Sequence, residues 1–286
     1  MSLIQLLIIS LIQGITEWLP VSSSGHVLLA SSMFGLGSHD ELMINAMAHL
    51  GTLGAVLIYF WRDVARAFSG GVELVTQPLR KGSISRNAWL AALILASLPI
   101  ALIVGVVHEM LLPERVVAGL RSVWTVAATT LIFGLILWWA DVRGAQRKTI
   151  HDMTLFQAIL IGASQAIAAV LPGTSRSGIT MTTARWLGFE RTEAARFSML
   201  IGAPILAAGG AYAVLELLTA DGNTGAATLS DGLIVAALSL ISGLASIWAL
   251  MKLLEKISFL PFVIYRIILA IVLILLSPLA LGWITA

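Results

Sequence analysis

The sequence contains no cysteine, so neither a disulfide framework nor thiol chemistry is available to it. It is also short of charge. Asp, Glu, Lys and Arg make up 11% of its 286 residues, where a soluble domain carries about 25%. No lysine or arginine precedes Arg62, so the chain does not open with the basic segment of a signal peptide. No nucleic-acid partner is expected. What is abundant is apolar: 58% of residues are hydrophobic and the mean hydropathy is +0.96. That combination excludes an ordinary soluble enzyme and predicts a polytopic membrane protein.

Apolar stretches long enough to cross a bilayer core, about 20 residues as helix, fall at 42–61, 88–107, 122–140, 197–218, 232–254 and 259–281. Several end in Trp or Tyr, which favour the headgroup layer. Four further apolar runs, near 2–16, 25–36, 153–171 and 178–188, are too short to cross. Each pair of them is joined by a polar turn, LPVSSSG in the first and LPGTSRSG in the second. Short runs of this kind are read as re-entrant segments, and irregular backbone at membrane depth survives only where protein or a water-filled cavity covers it.

The two turns are related. With a shift of 152 residues, SLIQLLIISLIQGITEWLPVSS aligns with TLFQAILIGASQAIAAVLPGTS. Gln5 meets Gln157, Gln13 meets Gln165, Pro20 meets Pro172 and Ser23 meets Ser175; one inserted residue later, Gly25 meets Gly178 and Gly35 meets Gly188. The predicted fold is therefore all-α and membrane-integral: six transmembrane helices plus two re-entrant helical hairpins in one domain over 1–286. Repeat 1 covers about 1–150 and repeat 2 about 151–286. Three crossings per repeat invert the second copy relative to the first. Inverted repeats with broken helices place the working site near the midplane, where the copies meet.

Basic residues set the orientation. Arg62, Arg66, Arg80, Lys81, Arg86, Arg143, Arg147, Lys148, Arg191, Arg196, Lys252 and Lys256 fall on one side, against Arg115 and Arg121 on the other. The positive-inside rule makes the first side cytoplasmic, so both termini and the first hairpin open outward. Arg176, Arg185 and Arg266 are assigned to membrane depth or its border.

Arg176, inside PGTSRSG, is the most informative of these. An arginine at membrane depth costs at least about 2.5–3.5 kcal/mol, so it needs a partner. It reads as an anion clamp, because guanidinium offers a planar fork of donors that matches phosphate oxygens. An ion pair with Glu17 is the alternative. Gly173, Thr174, Ser175, Ser177, Gly178 and Thr180 crowd the same turn and the helix after it, where backbone N–H groups attract anions. Glu17 is the only acid in the first 39 residues. It is a partner for Arg176, a general base, or a cation ligand with Gln13 four residues earlier. Mg²⁺ accepts such a sparse protein set when substrate phosphates and water complete its shell. Ser22, Ser23 and Ser24 exceed what a helix cap needs. His26 lies three residues after Ser23, on the same helical side, so the two form a candidate nucleophile and base. His49, Glu216, Tyr265 and Arg266 rank as supporting or structural residues.

QGITEWLPVSSSGH and PGTSRSG together resemble the two signature motifs of the undecaprenyl-diphosphate phosphatase family, the bacitracin-resistance lipid phosphatases. The resemblance extends to length, segment order and the closing LPFVIYR at 260–266, hence to essentially the whole chain. It implies a hydrolase of the bacterial inner membrane that converts undecaprenyl diphosphate to undecaprenyl phosphate and inorganic phosphate. This recycles the lipid carrier of peptidoglycan synthesis and confers bacitracin resistance. The family's acidic motif, E/Q-x-x-x-E, falls on Gln13 and Glu17; its P-V-S-S-[ST]-G-H motif falls on Pro20 to His26, and its P-G-x-S-R-S-G motif on Pro172 to Gly178. Gln13 stands where many members have Glu, which removes one carboxylate from the cation site. Catalytic roles are implied for Glu17, Ser23, His26 and Arg176. Ser22, Ser24, Gly25, Gly173, Thr174, Ser175, Ser177, Gly178 and Thr180 fall to substrate binding, and Mg²⁺ or Ca²⁺ to the cofactor.

Both readings fit a mechanism in which Ser23 attacks the terminal phosphorus and His26 relays its proton. Water activated by His26 or Glu17 is the alternative. The expected site faces the periplasm or exterior, and a homodimer is compatible with the sequence. The rival function is an inverted-repeat transporter or a flippase of a phosphorylated lipid, which would use the same architecture.

Overall fold

Helix starts in this chain are marked by small hydroxyl residues. The structure, a computed structural model, describes residues 2–23, 25–26, 38–76, 84–219 and 228–284. Among these the chain forms α1 (Leu3–Trp18), α2 (Ser38–Tyr59), α3 (Trp61–Thr76), α4 (Arg86–Ser97), α5 (Pro99–Leu111), α6 (Glu114–Leu120), α7 (Val123–Arg143), α8 (Leu155–Val170), α9 (Arg176–Trp186), α10 (Arg191–Thr219), α11 (Leu229–Leu254) and α12 (Leu260–Ile284). A 3₁₀ turn, Ile150–Asp152, precedes α8, and the described residues include no β-strand. Ser2, Ser85, Ser122, Thr154, Ser175 and Thr228 each cap the following helix, a side-chain oxygen accepting a backbone N–H.

Five segments are long and apolar enough to cross a membrane: Leu42–Tyr59, Arg86–His108, Val123–Arg143, Arg191–Leu215 and Leu229–Leu254. They match five of the six expected crossings. The second is two helices, α4 and α5, joined at Leu98. Pro99 lacks an N–H and opens α5, so the break follows from its chemistry. The sixth expected crossing lies in α12, which has 25 residues. The chain is a multi-pass membrane protein.

The residues 62–86, read above only as a basic connection, contain the helix α3, whose sequence alternates apolar and polar faces. Of the short apolar runs, 2–16 and 153–171 correspond to α1 and α8, and 178–188 to α9. Most of the run near 25–36 lies outside the described residues.

α1 and α8 are both 16 residues long and start 152 residues apart. Each begins with a capping box: Ser2 with Gln5, and Thr154 with Gln157. The first matched glutamine pair, Gln5 and Gln157, is thus explained locally; the second, Gln13 and Gln165, takes no part in capping. α1 lies against α11 through hydroxyls. Ser239 and Ser242 donate to the Ser10 carbonyl at 3.3 Å each, and Ser246 donates to the Ile15 carbonyl at 2.9 Å. Small hydroxyl residues let two helices approach closely while giving each polar group a partner.

Ion pairs tie the basic end together. Asp141 on α7 accepts from Arg185 Nε at 2.8 Å, from Arg191 Nε at 2.9 Å and from the Phe259 N–H at 3.1 Å. Arg185 is fully buried there. Asp63 accepts a bidentate pair from Arg196 at 2.9 and 2.6 Å. Both buried carboxylates are satisfied by planar guanidinium donors.

Candidate active site

The two polar turns share a serine with the same positive φ. Ser22 has φ 71° and Ser175 has φ 70°, a left-handed geometry that costs a non-glycine residue roughly 1–2 kcal/mol. In the second turn the cost is partly offset, because Ser175 Oγ accepts the Gly178 N–H at 3.1 Å and caps α9. The shared φ pairs Ser22 with Ser175, a shift of 153. The sequence alignment paired Ser23 with Ser175, so the extra residue enters before Ser22 rather than after Ser23. On the structural register, Ser23 is the counterpart of Arg176.

Those two counterparts converge on one carboxylate. Ser23 Oγ–H donates to Glu17 Oε2 at 3.1 Å, and Arg176 Nη2 donates to Glu17 Oε1 at 3.0 Å. Gln13 Nε2 donates to Glu17 Oε2 at 3.0 Å and lies 2.9 Å from His49 Nδ1. Glu17 and Arg176 side chains are 6% and 14% exposed, so this is a nearly dry ion pair. The pair alone does not exhaust Arg176. Its Nη1 is buried and has no hydrogen-bond partner, and the Thr174 hydroxyl is in the same condition. Buried donors without partners are costly, and an orphaned guanidinium nitrogen on the first residue of a helix suits an incoming anion.

Two residues that the sequence did not single out set the position of Arg176. Trp18 lies under its guanidinium, 4.9 Å from ring centroid to Cζ. Trp18 is in turn fixed by an Nε1–H bond to the Thr52 carbonyl at 3.2 Å. Gly202 on α10 leaves the space that Nη1 occupies; a Cβ there would overlap it. Trp18 follows Glu17 in the quoted motif, so a signal for it existed. Gly202 sits in an apolar run and had none.

Arg266 holds the two turns together. It is fully buried on α12 and faces only carbonyls. Nε donates to Thr130 O at 2.9 Å, Nη1 to Pro20 O at 3.3 Å and to Thr174 O at 3.0 Å, and Nη2 to Gly173 O at 3.1 Å. One side chain thus reaches the first turn, the second turn and α7. Ser177 adds a direct link, its hydroxyl donating to the Leu19 carbonyl at 3.0 Å. Gly173 has φ 88°, and a Cβ there would strike Thr129; only glycine suits that point of the turn.

The remaining expected residues are placed as follows. His26 Nδ1–H donates to the Ser22 carbonyl at 2.8 Å, and Nε2 faces the Tyr265 hydroxyl at 2.6 Å. Because a carbonyl can only accept, Nδ1 carries a proton, which leaves Nε2 as the ring atom that meets the Tyr265 hydroxyl. The hydroxyl of Ser23 is therefore on Glu17 and the imidazole is on Tyr265, which departs from the expected serine–histidine relay. Thr180 is buried, its hydroxyl on Ser198 at 2.6 Å and on the Arg176 carbonyl at 3.0 Å, so it braces α9. Gly25 and Ser22 are buried beside the first turn. Ser24 and the side chain of Glu216 lie outside the described residues.

For a cation the donor set is thin. The described residues contain no group of three His, Asp or Glu that could hold a metal ion. Glu17 is the one carboxylate, and both its oxygens are already bonded to protein donors. The residues present do not form a ready-made metal site.

A family model described as "Bacitracin resistance protein BacA" matches residues 6–272. The chain belongs to this family. Relatives named undecaprenyl-diphosphatase agree over nearly full length. The protein from Hyphomonas neptunium is 56% identical over 282 residues, covering 99% of each chain. That from Maricaulis maris is 46% identical over 93% of this chain and 96% of its own. That from a Jannaschia species is 43% identical over 97% and 99%. The match to the BacA model includes both turns and the Tyr265–Arg266 pair, so every contact of the site lies within the family's extent.

Proposed function

We propose that this chain is an undecaprenyl-diphosphatase, which hydrolyses undecaprenyl diphosphate to undecaprenyl phosphate and inorganic phosphate. The observation that carries the reading is the divided guanidinium of Arg176. One nitrogen holds the carboxylate that holds Ser23, and the other is buried without a partner. Hydrolysis returns the lipid carrier to peptidoglycan synthesis, and continued supply of the monophosphate underlies bacitracin resistance.

In the mechanism, Arg176 Nη1 and the first N–H groups of α9 bind the terminal phosphate. Glu17 takes the proton of Ser23, and Ser23 Oγ forms a bond to the terminal phosphorus. The bond to the bridging oxygen breaks, and undecaprenyl phosphate leaves as an anion that needs no proton. Water then hydrolyses the phosphoserine, releases inorganic phosphate and restores Ser23. Fixed charge aimed at the transferring phosphoryl group is the main help such a reaction needs. His26, held by Tyr265 and the Ser22 carbonyl, serves as a proton carrier for the water step. Mg²⁺ or Ca²⁺ enters this reading as a companion of the diphosphate, and no step is assigned to it.

The topology belongs to the same proposal. Six crossings and two re-entrant hairpins form two inverted halves, about 1–150 and 151–286, in the bacterial inner membrane. The excess of arginine and lysine at one end makes that end cytoplasmic, so the termini and the site face the periplasm. One chain supplies every residue of the site, so the chemistry does not depend on a homodimer.

The test is phosphate release from undecaprenyl diphosphate by purified protein in detergent. A transporter or flippase would release none, and that result would reject the proposal. Trapping phosphate on Ser23 during turnover supports the covalent step, whereas a Ser23→Ala protein with a near-normal rate replaces it with direct attack by water.

A further inference from the structure

A second concentration of arginines lies at the basic end of the molecule, away from the two turns. A cavity of about 330 Å³ opens between α3, α4 and the start of α10. Arg66, Arg86 and Arg196 line it, together with Asp63, and Leu90 and Leu93 form an apolar floor. The single carboxylate is already used, because Arg196 binds both of its oxygens. Arg196 also reaches Glu193 at 3.3 Å. Arg66 touches Asp63 only at 3.4 Å, and Arg86 has no ion-pair partner among the described residues. Glu73, the other acid on α3, is turned to the Ser85 hydroxyl at 2.5 Å. Three guanidinium groups thus meet one carboxylate in the lining, with Glu193 behind Arg196, so at least one positive charge of the cavity is left without an acid.

α3 says what kind of anion reaches this place. Trp61, Phe68, Val72 and Val75 recur at helical spacing on one face and are 61%, 75%, 48% and 80% exposed. Arg62 sits beside that stripe, its guanidinium 5.3 Å from the Trp61 ring. An amphipathic helix of this composition lies in the membrane surface with its apolar face in the acyl layer and its arginines among headgroups. The cavity mouth is then at headgroup depth, with cations above and an apolar floor below.

We propose that this cavity binds the phosphate of an anionic membrane lipid, with Arg66 and Arg86 as its ligands and Leu90 and Leu93 beneath the glycerol backbone. The apolar floor and the flanking stripe favour a lipid over free phosphate, which would use the arginines alone. The site is separate from the diphosphate site and does not depend on its chemistry.

Native mass spectrometry of the full chain, with phosphatidylglycerol or phosphatidylcholine added to the detergent, tests this. The intact protein is expected to retain phosphatidylglycerol at least about tenfold more strongly than phosphatidylcholine. The Arg66→Gln/Arg86→Gln protein loses that preference, while Arg62→Gln, outside the cavity, keeps it. Millimolar inorganic phosphate leaves the lipid adduct in place. Equal retention by the intact and doubly substituted proteins overturns the proposal. Displacement by inorganic phosphate overturns the lipid assignment and leaves a soluble-anion site. Should the double variant not fold, Arg86→Gln alone serves, because Arg86 has no ion-pair partner to lose among the described residues; unchanged lipid preference in it overturns the proposal equally.

Discussion

In the first turn, Ser22 at φ 71° precedes Ser23, whose hydroxyl lies on Glu17; in the second, Ser175 at φ 70° precedes Arg176, whose guanidinium lies on the same carboxylate. The backbone is held in common and the chemistry has been divided. Where the first α-helix carries Glu17, its counterpart position on the eighth carries Ala169. A matched pair of turns could have aimed two acids at each other, which would repel. Losing one acid and gaining one arginine converts the meeting point into an ion pair with a donor to spare. The lesson is that a positive-φ serine is common to both turns, while only the second sends the following side chain, Arg176, across to the other half; Ser23 stays on Glu17 of its own half.

The sharpest way to break this comparison is to remove one aimed side chain. Arg176→Ala is expected to lower phosphate release by about a thousandfold or more, the range for a guanidinium on a transferring phosphoryl group. Arg176→Lys should recover little, since one ammonium cannot serve both Glu17 and the substrate. Glu17→Gln keeps the shape but cannot take the serine proton, and a loss of about 10²–10³-fold is expected in the same assay. If Glu17→Gln retained most activity, the two turns would not share a base.

Arg266→Met should act on stability. It strips the donors from carbonyls of both turns and α7, so a loss of about 3 kcal/mol is expected by thermal unfolding in detergent. Gly202→Ala separates position from stability. A guanidinium is the movable end of a long chain, so the fold yields cheaply, yet Nη1 is displaced. Activity should fall about 10–100-fold with an unfolding temperature near that of the parent. Ser175→Ala, the mildest, removes a cap worth about 1 kcal/mol. Unfolding temperature measures it, and a drop as large as that of Arg266→Met would show the turn to be held mainly by its cap.

Much of this was legible before any coordinates. Glutamine, proline and serine at constant spacing marked α1, α8 and the turns after them; capping chemistry accounts for Gln5 and Gln157. Arginine in a glycine- and serine-rich turn marked the anion site, because an unpaired cation is costly in an apolar setting. Partners far apart in sequence were not legible. His26 and Ser23 fit a helical spacing of three, but their bonds go to Tyr265, 239 residues away, and to Glu17. The register of the turns was one residue off, because side-chain identity favoured Ser23 against Ser175 while φ pairs Ser22 with it. The surface helix α3 was hidden by its charges, which read as a connection until its exposed apolar stripe was seen.

Arg266 has one more consequence. It faces five backbone carbonyls and no acid, so the heart of the molecule holds two guanidinium charges against the single carboxylate of Glu17. No second acid among the described residues bonds either guanidinium, and in the proposed reaction the diphosphate brings the missing negative charge. The same imbalance outlasts the reaction. Inorganic phosphate, formed in place, must leave against the attraction that drew the substrate in, so the product is expected to be an inhibitor of its own release step.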